Sequence, residues 1–240
     1  MDGNNMRVPF DDRPDFSHKK EHNTSIPHKS FYFVRHGESE ANKLRIMCGG
    51  GYDTPLTEKG RLQTNEARRI LGMLGDEKPR VLCHSDLSRA KETAQLLNKE
   101  IRLFSLSMPG LREHRMGKWE GLSWDEVVPM LEKKVDPENG ERFIDFNRRI
   151  FCVTSDILTT HTLPLIVAHG GFWHALASIH GYEATEWPVN ARLYFFRAVK
   201  NHEGFPWQIC AYTLSAMKSV VQTDNSHVMV ANRFSKNQKE

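Results

Sequence analysis

The sequence of 240 residues lacks several features that would assign it to a whole class of proteins. No segment approaches the ~20 consecutive apolar residues that span a bilayer, so we predict no membrane association. The N-terminus has no apolar stretch of the kind found in secretory signals. The net charge is only +3, without a basic block that could follow a nucleic-acid backbone, so we predict no nucleic-acid partner.

Cysteine is scarce and widely spaced, whereas histidine is common. The four cysteines form no CxxC pair, and we interpret them as the reduced thiols of a cytoplasmic protein. Among the twelve histidines, His18 and His22 have the spacing of two metal ligands on one helix face. Their charged neighbours and the weak apolar periodicity favour a solvated tail there, so we predict no metal site.

Strand-like and helix-like segments alternate between two polar ends of the chain. Residues 1–29 contain three prolines and predict a flexible or loosely packed leader, and residues 219–240 predict a polar tail. Residues 30–218 predict one α/β domain, a three-layer α/β/α sandwich whose mostly parallel sheet has an antiparallel edge. Predicted strands lie at 31–34, 80–85, 102–107, 163–168, 192–199 and 207–214, and predicted helices at 56–75, 86–101, 123–131, 141–160 and 172–181. In the helix at 56–75, Thr57 is a good N-cap, and a buried stripe is predicted for Leu62, Ala67, Ile70, Leu71 and Leu74.

Three of the predicted strands end in side chains suited to phosphate. The first is followed by Arg35-His36-Gly37, the second by His84-Ser85 with Arg89 one helical turn further on, and the fourth by His169-Gly170-Gly171. Because the carboxyl ends of parallel strands meet at one edge of a sheet, we expect these groups in one crevice. The arginine fork matches phosphate oxygens, and a helix N-terminus adds oriented amides. One strand-end histidine is more often structural, but three coincident strand ends favour a phosphate site.

Five motifs follow one another along the chain: VRHGESEAN (34–42), DTPLTEKG (53–60), HSDLSRAKETA (84–94), LREHRMGKWEGLSWDE (111–126) and VAHGG (167–171). Together they resemble the histidine phosphatase superfamily, which has the phosphoglycerate-mutase-like fold, and the resemblance covers residues 31–215. It implies that His36 is a nucleophile that forms a transient phosphohistidine. It also implies that Arg35, Arg89 and His169 bind the equatorial phosphate oxygens. The implied pocket rim consists of Ser39, Asn42, Gly50 and Gly170.

The same resemblance implies a general acid at Glu113, in the motif LREHRMG. This residue would protonate the leaving oxygen and later deprotonate the attacking water. Glu120 in WEG is a rival, and Glu38 lies beside the nucleophile. The structural alternative for both is a carboxylate that holds its loop by hydrogen bonds. The resemblance implies neither a metal nor a cofactor, because the basic groups would neutralise the phosphate charge.

We consider a binding role for three tryptophans and one histidine, and we predict a structural role for each. Trp119, Trp124 and Trp173 could form substrate platforms, although aromatic residues near a helix start are more often part of the core. His174 follows His169 by five residues and faces another way around the predicted helix. We therefore predict that it is structural.

Three functions stay open at this point. The favoured one is a phosphomonoesterase that hydrolyses a small phosphorylated metabolite, similar to the α-ribazole-phosphatase-like and broad-specificity branch. The second is a cofactor-dependent phosphoglycerate mutase, but only 56 positions separate Glu113 and His169, too few for the long basic insertion that retains a bisphosphate. The third is a non-catalytic binding protein on the same fold. Arg142 stands where the phosphatase branch tends to have serine. The sequence does not define the oligomeric state, and a homodimer is one of the alternatives.

Overall fold

The computed structural model describes residues 25–200, 204–214 and 230–233. Within these ranges six strands form one sheet, in the order β3-β2-β4-β1-β6-β7, and the other two form a separate pair. The eight strands are β1 (Phe31–Arg35), β2 (Val81–His84), β3 (Ser105–Ser107), β4 (Pro164–Ala168), β5 (Tyr182–Ala184), β6 (Leu193–Ala198), β7 (Trp207–Ala211) and β8 (Val230–Arg233).

The register of the sheet brings the predicted strand ends to one level. Strands β3, β2, β4 and β1 are parallel, β6 is antiparallel to β1, and β7 is antiparallel to β6. Arg35 pairs with Ala168, and His84 pairs with Val167. The residues that follow these strands therefore leave the sheet side by side. The prediction of a mostly parallel sheet with an antiparallel edge is confirmed.

Helices cover both faces of the sheet and complete the predicted three layers. Alternate residues of β1 point to opposite faces, as strand geometry requires. Tyr32 and Val34 pack with α2 and α3, whereas Phe31 and Phe33 pack with α5 and α6. In the described ranges the helices are α1 (Glu40–Leu44), α2 (Glu58–Gly72), α3 (Ser88–Ile101), α4 (Trp124–Glu132), α5 (Phe143–Thr160) and α6 (Gly170–Ile179). No helix in this part of the chain is both long and apolar enough to cross a bilayer.

The predicted buried stripe of α2 is wrong at one position. Thr57 is the N-cap, as predicted, and its side chain accepts the N–H of Gly60. Leu62, however, is 62% exposed. It lies two positions, or about 200° of helix rotation, from the buried residues Gly60 and Thr64, and therefore points away from the sheet. The small residues on that face allow α2 to pack closely.

The ends of the chain differ in part from the predicted leader and tail. Residues 1–24, with His18 and His22, lie outside the described residues. The end of the leader is packed: Ile26 is 1% exposed in the core, and the Lys29 carbonyl accepts the indole N–H of Trp207 at 2.9 Å. Within the predicted tail, β8 pairs antiparallel with β5. Residues on both sides of 30–218 therefore contribute to the folded domain.

Candidate active site

His36 follows the last residue of β1 and is bound through both ring nitrogens. Its Nδ1 lies 2.7 Å from the Gly37 carbonyl oxygen, and its Nε2 lies 3.3 Å from Nε of Arg89. A carbonyl can only accept and a guanidinium can only donate, so the ring proton is on Nδ1. The lone pair is therefore on Nε2, the atom available as a nucleophile.

Arg89 holds this arrangement in place from the first turn of α3. Its side chain is 1% exposed, donating from Nη1 to Asp53 at 2.7 Å and from Nη2 to the Gly49 carbonyl at 2.8 Å. Asp53 also accepts the backbone N–H of Ser88 at 2.5 Å. Its carboxylate thus binds a free amide at the start of α3 while neutralising the buried guanidinium. The loop before α2 and the start of α3 are joined through one ion pair.

His169 follows β4 and brings a second imidazole to the same place. It is fully buried, and its ring centroid lies 5.2 Å from that of His36. Its Nε2 is 2.9 Å from the hydroxyl oxygen of Ser85, which also accepts the N–H of Leu87. When the Ser85 hydroxyl donates to Nε2, the ring proton is on Nδ1. The end of β2 therefore contributes a residue that orients His169.

Two buried polar atoms of this pocket have no hydrogen-bond partner in the described part of the chain. They are Nε of Arg35 and Nδ1 of His169. The other end of Arg35 is anchored, because its Nη1 donates to the Pro188 carbonyl at 3.0 Å. A buried donor without a partner typically costs ~1–3 kcal/mol. An anion bound beside His36 would accept from both atoms.

The pocket keeps both imidazoles neutral. Burial lowers the pKa of His36 well below 6.5, and the charges of Arg89 and Arg35 lower it further. Burial also lowers the pKa of His169, again with a contribution from Arg89. His36 therefore keeps the lone pair on Nε2 at neutral pH.

The Glu113 carboxylate is bound by two backbone amides. Oε2 accepts the N–H of Gly171 at 3.0 Å, and Oε1 accepts the N–H of His114 at 2.8 Å. Gly171 lies in the first turn of α6, whose positive end stabilises an anion. A Cβ at Gly171 would overlap Oε1 of Glu113, so only glycine allows this approach. Glu113 also interacts electrostatically with Arg35.

Arg149 of α5 clamps the backbone that carries Glu113. Its Nη1 donates to the carbonyls of Gly110 and Arg112 at 3.0 and 2.8 Å, and its Nη2 reaches the Glu113 carbonyl at 3.3 Å. The charge is balanced by Glu141, which accepts from Nε at 2.9 Å and from Nη2 at 2.6 Å. This planar, bidentate ion pair fixes the orientation of the Arg149 guanidinium. The acid-bearing loop is thus attached to α5.

The two rival carboxylates both make structural hydrogen bonds. Glu120 accepts the backbone N–H groups of Gly51 and Met116 at 2.9 and 3.0 Å. Glu38 forms an ion pair with Lys59 at 2.7 Å. Burial raises the pKa of Glu120, a shift that would also suit a general acid, so the choice between Glu113 and Glu120 needs an experiment.

The four predicted rim residues have local roles in the structure. Ser39 is the N-cap of α1, and it forms a reciprocal capping box with Asn42. A Cβ at Gly50 would meet the backbone of the Glu113 loop, and a Cβ at Gly170 would lie 2.6 Å from the Trp187 ring. Direct phosphate contacts of these residues remain a prediction.

Sequence reasoning did not single out three supporting residues: Asp53, Arg149 and Asn190. Asp53 lies inside the motif DTPLTEKG, which was a signal for it. Asn190 donates to the His36 carbonyl at 2.9 Å and to Asn42 at 3.2 Å, but its contacts cross 154 positions of sequence, and no local pattern indicates them. Arg149 lies on the polar side of a helix that was predicted from its apolar stripe alone.

The predicted structural role of the tryptophans agrees with their environment. Trp119 and Trp173 are 7% and 2% exposed, and the Trp124 indole donates to the Ile46 carbonyl at 3.0 Å. His174 packs on Trp187, with ring centroids 4.0 Å apart. Over residues 25–200, 204–214 and 230–233, no group of three or more histidine, cysteine or acidic side chains has the arrangement of a metal site.

Residues 31–191 match the family model described as histidine phosphatase superfamily (branch 1). The chain belongs to the histidine phosphatase superfamily. This confirms the resemblance inferred from the motifs, and the shared range contains His36, Arg89, Glu113 and His169.

Several members of the superfamily are similar to this chain. Adenosylcobalamin/alpha-ribazole phosphatase of Salmonella typhimurium is 34% identical over 152 residues, which cover 58% of this chain and 73% of that protein. A glucosyl-3-phosphoglycerate phosphatase of Mycolicibacterium vanbaalenii is 30% identical over 175 residues, covering 65% and 76% of the two chains. The solved structure of a mycobacterial glucosyl-3-phosphoglycerate phosphatase complexed with VO3 has a TM-score of 0.64 at 25% identity, covering 77% of this chain and 99% of that one.

The neutral buried histidines of this superfamily member predict a loss of stability in mild acid. A histidine whose pKa is lowered by folding binds its proton more readily in the unfolded chain. Its stabilising effect is complete above the unfolded pKa of about 6.5 and is lost as the pH falls below it. We expect each such histidine to contribute a slope of up to ~1.4 kcal/mol per pH unit to the free energy of unfolding.

Urea unfolding from pH 7 to pH 5 in phosphate-free buffer measures this slope. His36→Gln removes one titrating group, so the slope should decrease by about the contribution of one histidine. Identical slopes for the wild type and His36→Gln would show that folding leaves the pKa of His36 unchanged, and would contradict the lowered pKa in the folded protein.

Proposed function

We propose that the protein is a phosphomonoesterase that hydrolyses a small phosphorylated metabolite through a phosphohistidine on His36. Phosphatase activity is supported by family membership and by the names of the two relatives, which point to different phosphate esters. The observation that carries the mechanism is the pocket around Nε2 of His36, where two arginines and His169 converge and two buried donors are unfilled.

The first step transfers the phosphoryl group to the enzyme. Nε2 of His36 attacks phosphorus while the bond from phosphorus to the leaving oxygen breaks, and that oxygen takes a proton from the Glu113 carboxyl group. Arg35, Arg89 and His169 donate to the equatorial oxygens, where the charge develops. Arg89 already donates to Nε2 of His36. When a phosphoryl group binds there, the same N–H can donate to a phosphate oxygen without moving far.

The second step releases inorganic phosphate. Water attacks phosphorus, Glu113 accepts a proton from that water, and the bond between phosphorus and Nε2 breaks. The amides of Gly171 and His114 stabilise the Glu113 carboxylate in the state in which it acts as a base. His36 returns to its neutral form with the proton still on Nδ1.

The segment between Glu113 and α5 favours hydrolysis over phosphoryl return to a product. A mutase must shield the phosphohistidine and retain a second phosphate with basic side chains. Here Lys118 is paired with Glu138, and Arg142 with Asp145, both at the surface. The segment is also too short for the long basic insertion of a mutase, so we expect water to reach the intermediate.

The phosphoenzyme provides a direct test of the nucleophile. We expect His36→Ala to abolish turnover and the acid-labile phosphoenzyme together, because no other side chain is bound in the same position. Rapid quench with a ³²P-labelled ester, followed by alkaline and acid treatment, measures both. A phosphoenzyme of normal stability in this variant would assign the nucleophile to another residue.

Chelation tests whether the arginines are sufficient for charge neutralisation. We expect turnover of the wild type to be unchanged in excess EDTA, because Arg35 and Arg89 carry the positive charge that a metal would supply. Steady-state rates before and after prolonged chelation measure this. A loss of activity that Mg²⁺ or Zn²⁺ restores would contradict a metal-independent mechanism.

Leaving-group dependence tests Glu113 as the general acid. An alkyl phosphate leaves as an alkoxide and needs the proton, whereas p-nitrophenolate has a pKa of about 7 and departs nearly unaided. We expect Glu113→Gln to slow phosphoryl transfer from the alkyl ester by about 10²–10⁴-fold and from the aryl ester far less. Single-turnover rates separate this step from dephosphorylation, which should slow equally for both esters.

Glu120→Gln is the matched control. Its amide oxygen can still accept the N–H groups of Gly51 and Met116, so both esters should change by similar, small factors. If Glu120→Gln shows the leaving-group dependence and Glu113→Gln does not, Glu120 is the acid.

A further inference from the structure

Trp187 is a half-exposed indole at the edge of a charged pocket. Its side chain is 52% exposed, in contrast to the buried Trp119, Trp173 and Trp207. A Cβ built on Gly170 would lie 2.6 Å from a carbon of the Trp187 ring and 3.8 Å from the guanidinium carbon of Arg35. The indole and the arginine therefore border the same point at the start of α6.

The backbone next to Trp187 is tied to the nucleophile strand by three hydrogen bonds. Arg35 donates to the carbonyl of Pro188 at 3.0 Å, and Asn190 donates to the His36 carbonyl at 2.9 Å. The N–H of Ala191 donates to the Arg35 carbonyl at 2.8 Å. These contacts fix the segment 187–191 relative to the atoms that bind phosphate. The backbone that carries the indole is therefore attached to the strand that leads to His36.

His174 supports the indole from below and carries no charge. The two rings contact each other at a centroid distance of 4.0 Å and a tilt of 42°. Burial lowers the pKa of His174 to about 4, so the ring is neutral at physiological pH. The two rings therefore form an uncharged aromatic corner beside the guanidinium of Arg35, although Nε2 of His174 is polar and has no hydrogen-bond partner in the described residues.

The corner also lies on the side of the acid. Gly170 contacts the indole, and its neighbour Gly171 contacts the Glu113 carboxylate. Glu113 interacts electrostatically with His174 as well as with Arg35. A leaving group that receives its proton from Glu113 therefore emerges beside Trp187.

We propose that Trp187, supported by His174, binds the leaving group and selects phosphate monoesters whose alcohol carries a ring with an apolar face. This proposal deepens the proposed phosphatase function and rests on it. An aromatic ring or the C–H face of a sugar ring would cover the exposed indole, whereas a short acyclic alcohol would leave it in water. Neither Trp187 nor His174 takes part in the bond changes at phosphorus.

Benzyl phosphate and propyl phosphate provide the test, because both leave as primary alkoxides and differ in the ring. We expect Trp187→Ala to lower kcat/KM for benzyl phosphate about tenfold, mainly by raising KM. The same variant should change kcat/KM for propyl phosphate by less than about twofold. Trp187→Phe should restore most of the benzyl preference. Glucose 6-phosphate distinguishes the two kinds of ring: a loss like that of the benzyl ester assigns the surface to rings in general, and no loss assigns it to aromatic rings.

Phe104→Ala is the matched surface control, since Phe104 is 72% exposed and precedes β3, at the end of the sheet opposite the strand ends that lead to the site. It should leave both esters unchanged. Equal losses for benzyl and propyl phosphate in Trp187→Ala would overturn the proposal while leaving the phosphatase function intact.

Binding of unreactive phosphonates separates this proposal from the proposed function. Calorimetric titration should show that phenylphosphonate binds more tightly than methylphosphonate, and that Trp187→Ala removes the difference. This measurement does not depend on turnover. If the wild type hydrolyses no phosphate ester, the phosphatase function is refuted. If the two phosphonates bind with equal affinity, the ring-binding surface is refuted.

Discussion

The candidate site depends on one buried charge, the guanidinium of Arg89. It is 1% exposed and contacts His36, Asp53 and the Gly49 carbonyl. Breaking a buried ion pair typically costs ~3–5 kcal/mol, so the loop that carries Asp53 and the start of α3 are held to the nucleophile. Burial lowers the pKa of His36, and the charge of Arg89 lowers it further while its Nε donates to Nε2 of His36. Arg89 therefore contributes both to the position of the His36 ring and to its protonation state.

The proposed acid is fixed by a separate set of contacts on the other face of the sheet. Gly171 of α6 binds the Glu113 carboxylate, and Arg149 of α5 binds the backbone around it. Arg89 belongs to α3, which packs on the opposite face. The sheet edge thus lies between two sets of contacts, one that holds His36 and one that holds Glu113. Phosphoryl transfer requires such fixed separation, because most of the protein's contribution is positioning and charge stabilisation.

The pocket combines two environments that suit the two halves of a phosphate ester. Around His36 the groups are charged or able to donate, and two of them lack partners in the described residues. Beside Arg35 the surface becomes a neutral indole and imidazole. In the proposed function the charged groups bind the phosphoryl group whatever the alcohol, and the proposed ring-binding surface at Trp187 distinguishes alcohols by shape. The two proposals therefore assign catalysis and substrate selection to different residues.

The layers of the fold and the chemical groups at the strand ends can be predicted from the amino-acid sequence alone. Apolar runs such as Phe31–Val34 predict buried strands, and parallel strands must place Arg35, His36 and His169 at one edge. The exposed Leu62 shows the limit of this reasoning, since the face that α2 buries depends on how closely its small residues approach the sheet.

The contacts that hold these groups, and the side chains that surround them, are visible only in the folded structure. The Asp53–Arg89 pair, the Arg149–Glu141 clamp and the Asn190 contacts join segments from 8 to 154 positions apart, and the packing of Trp187 on Gly170 is visible only in three dimensions. Local periodicity reports which side of an element is buried, but not which distant polar group lies opposite it. Hydrogen bonds between distant segments form where packing brings donor and acceptor within about 3 Å, and that distance is a property of the assembled fold.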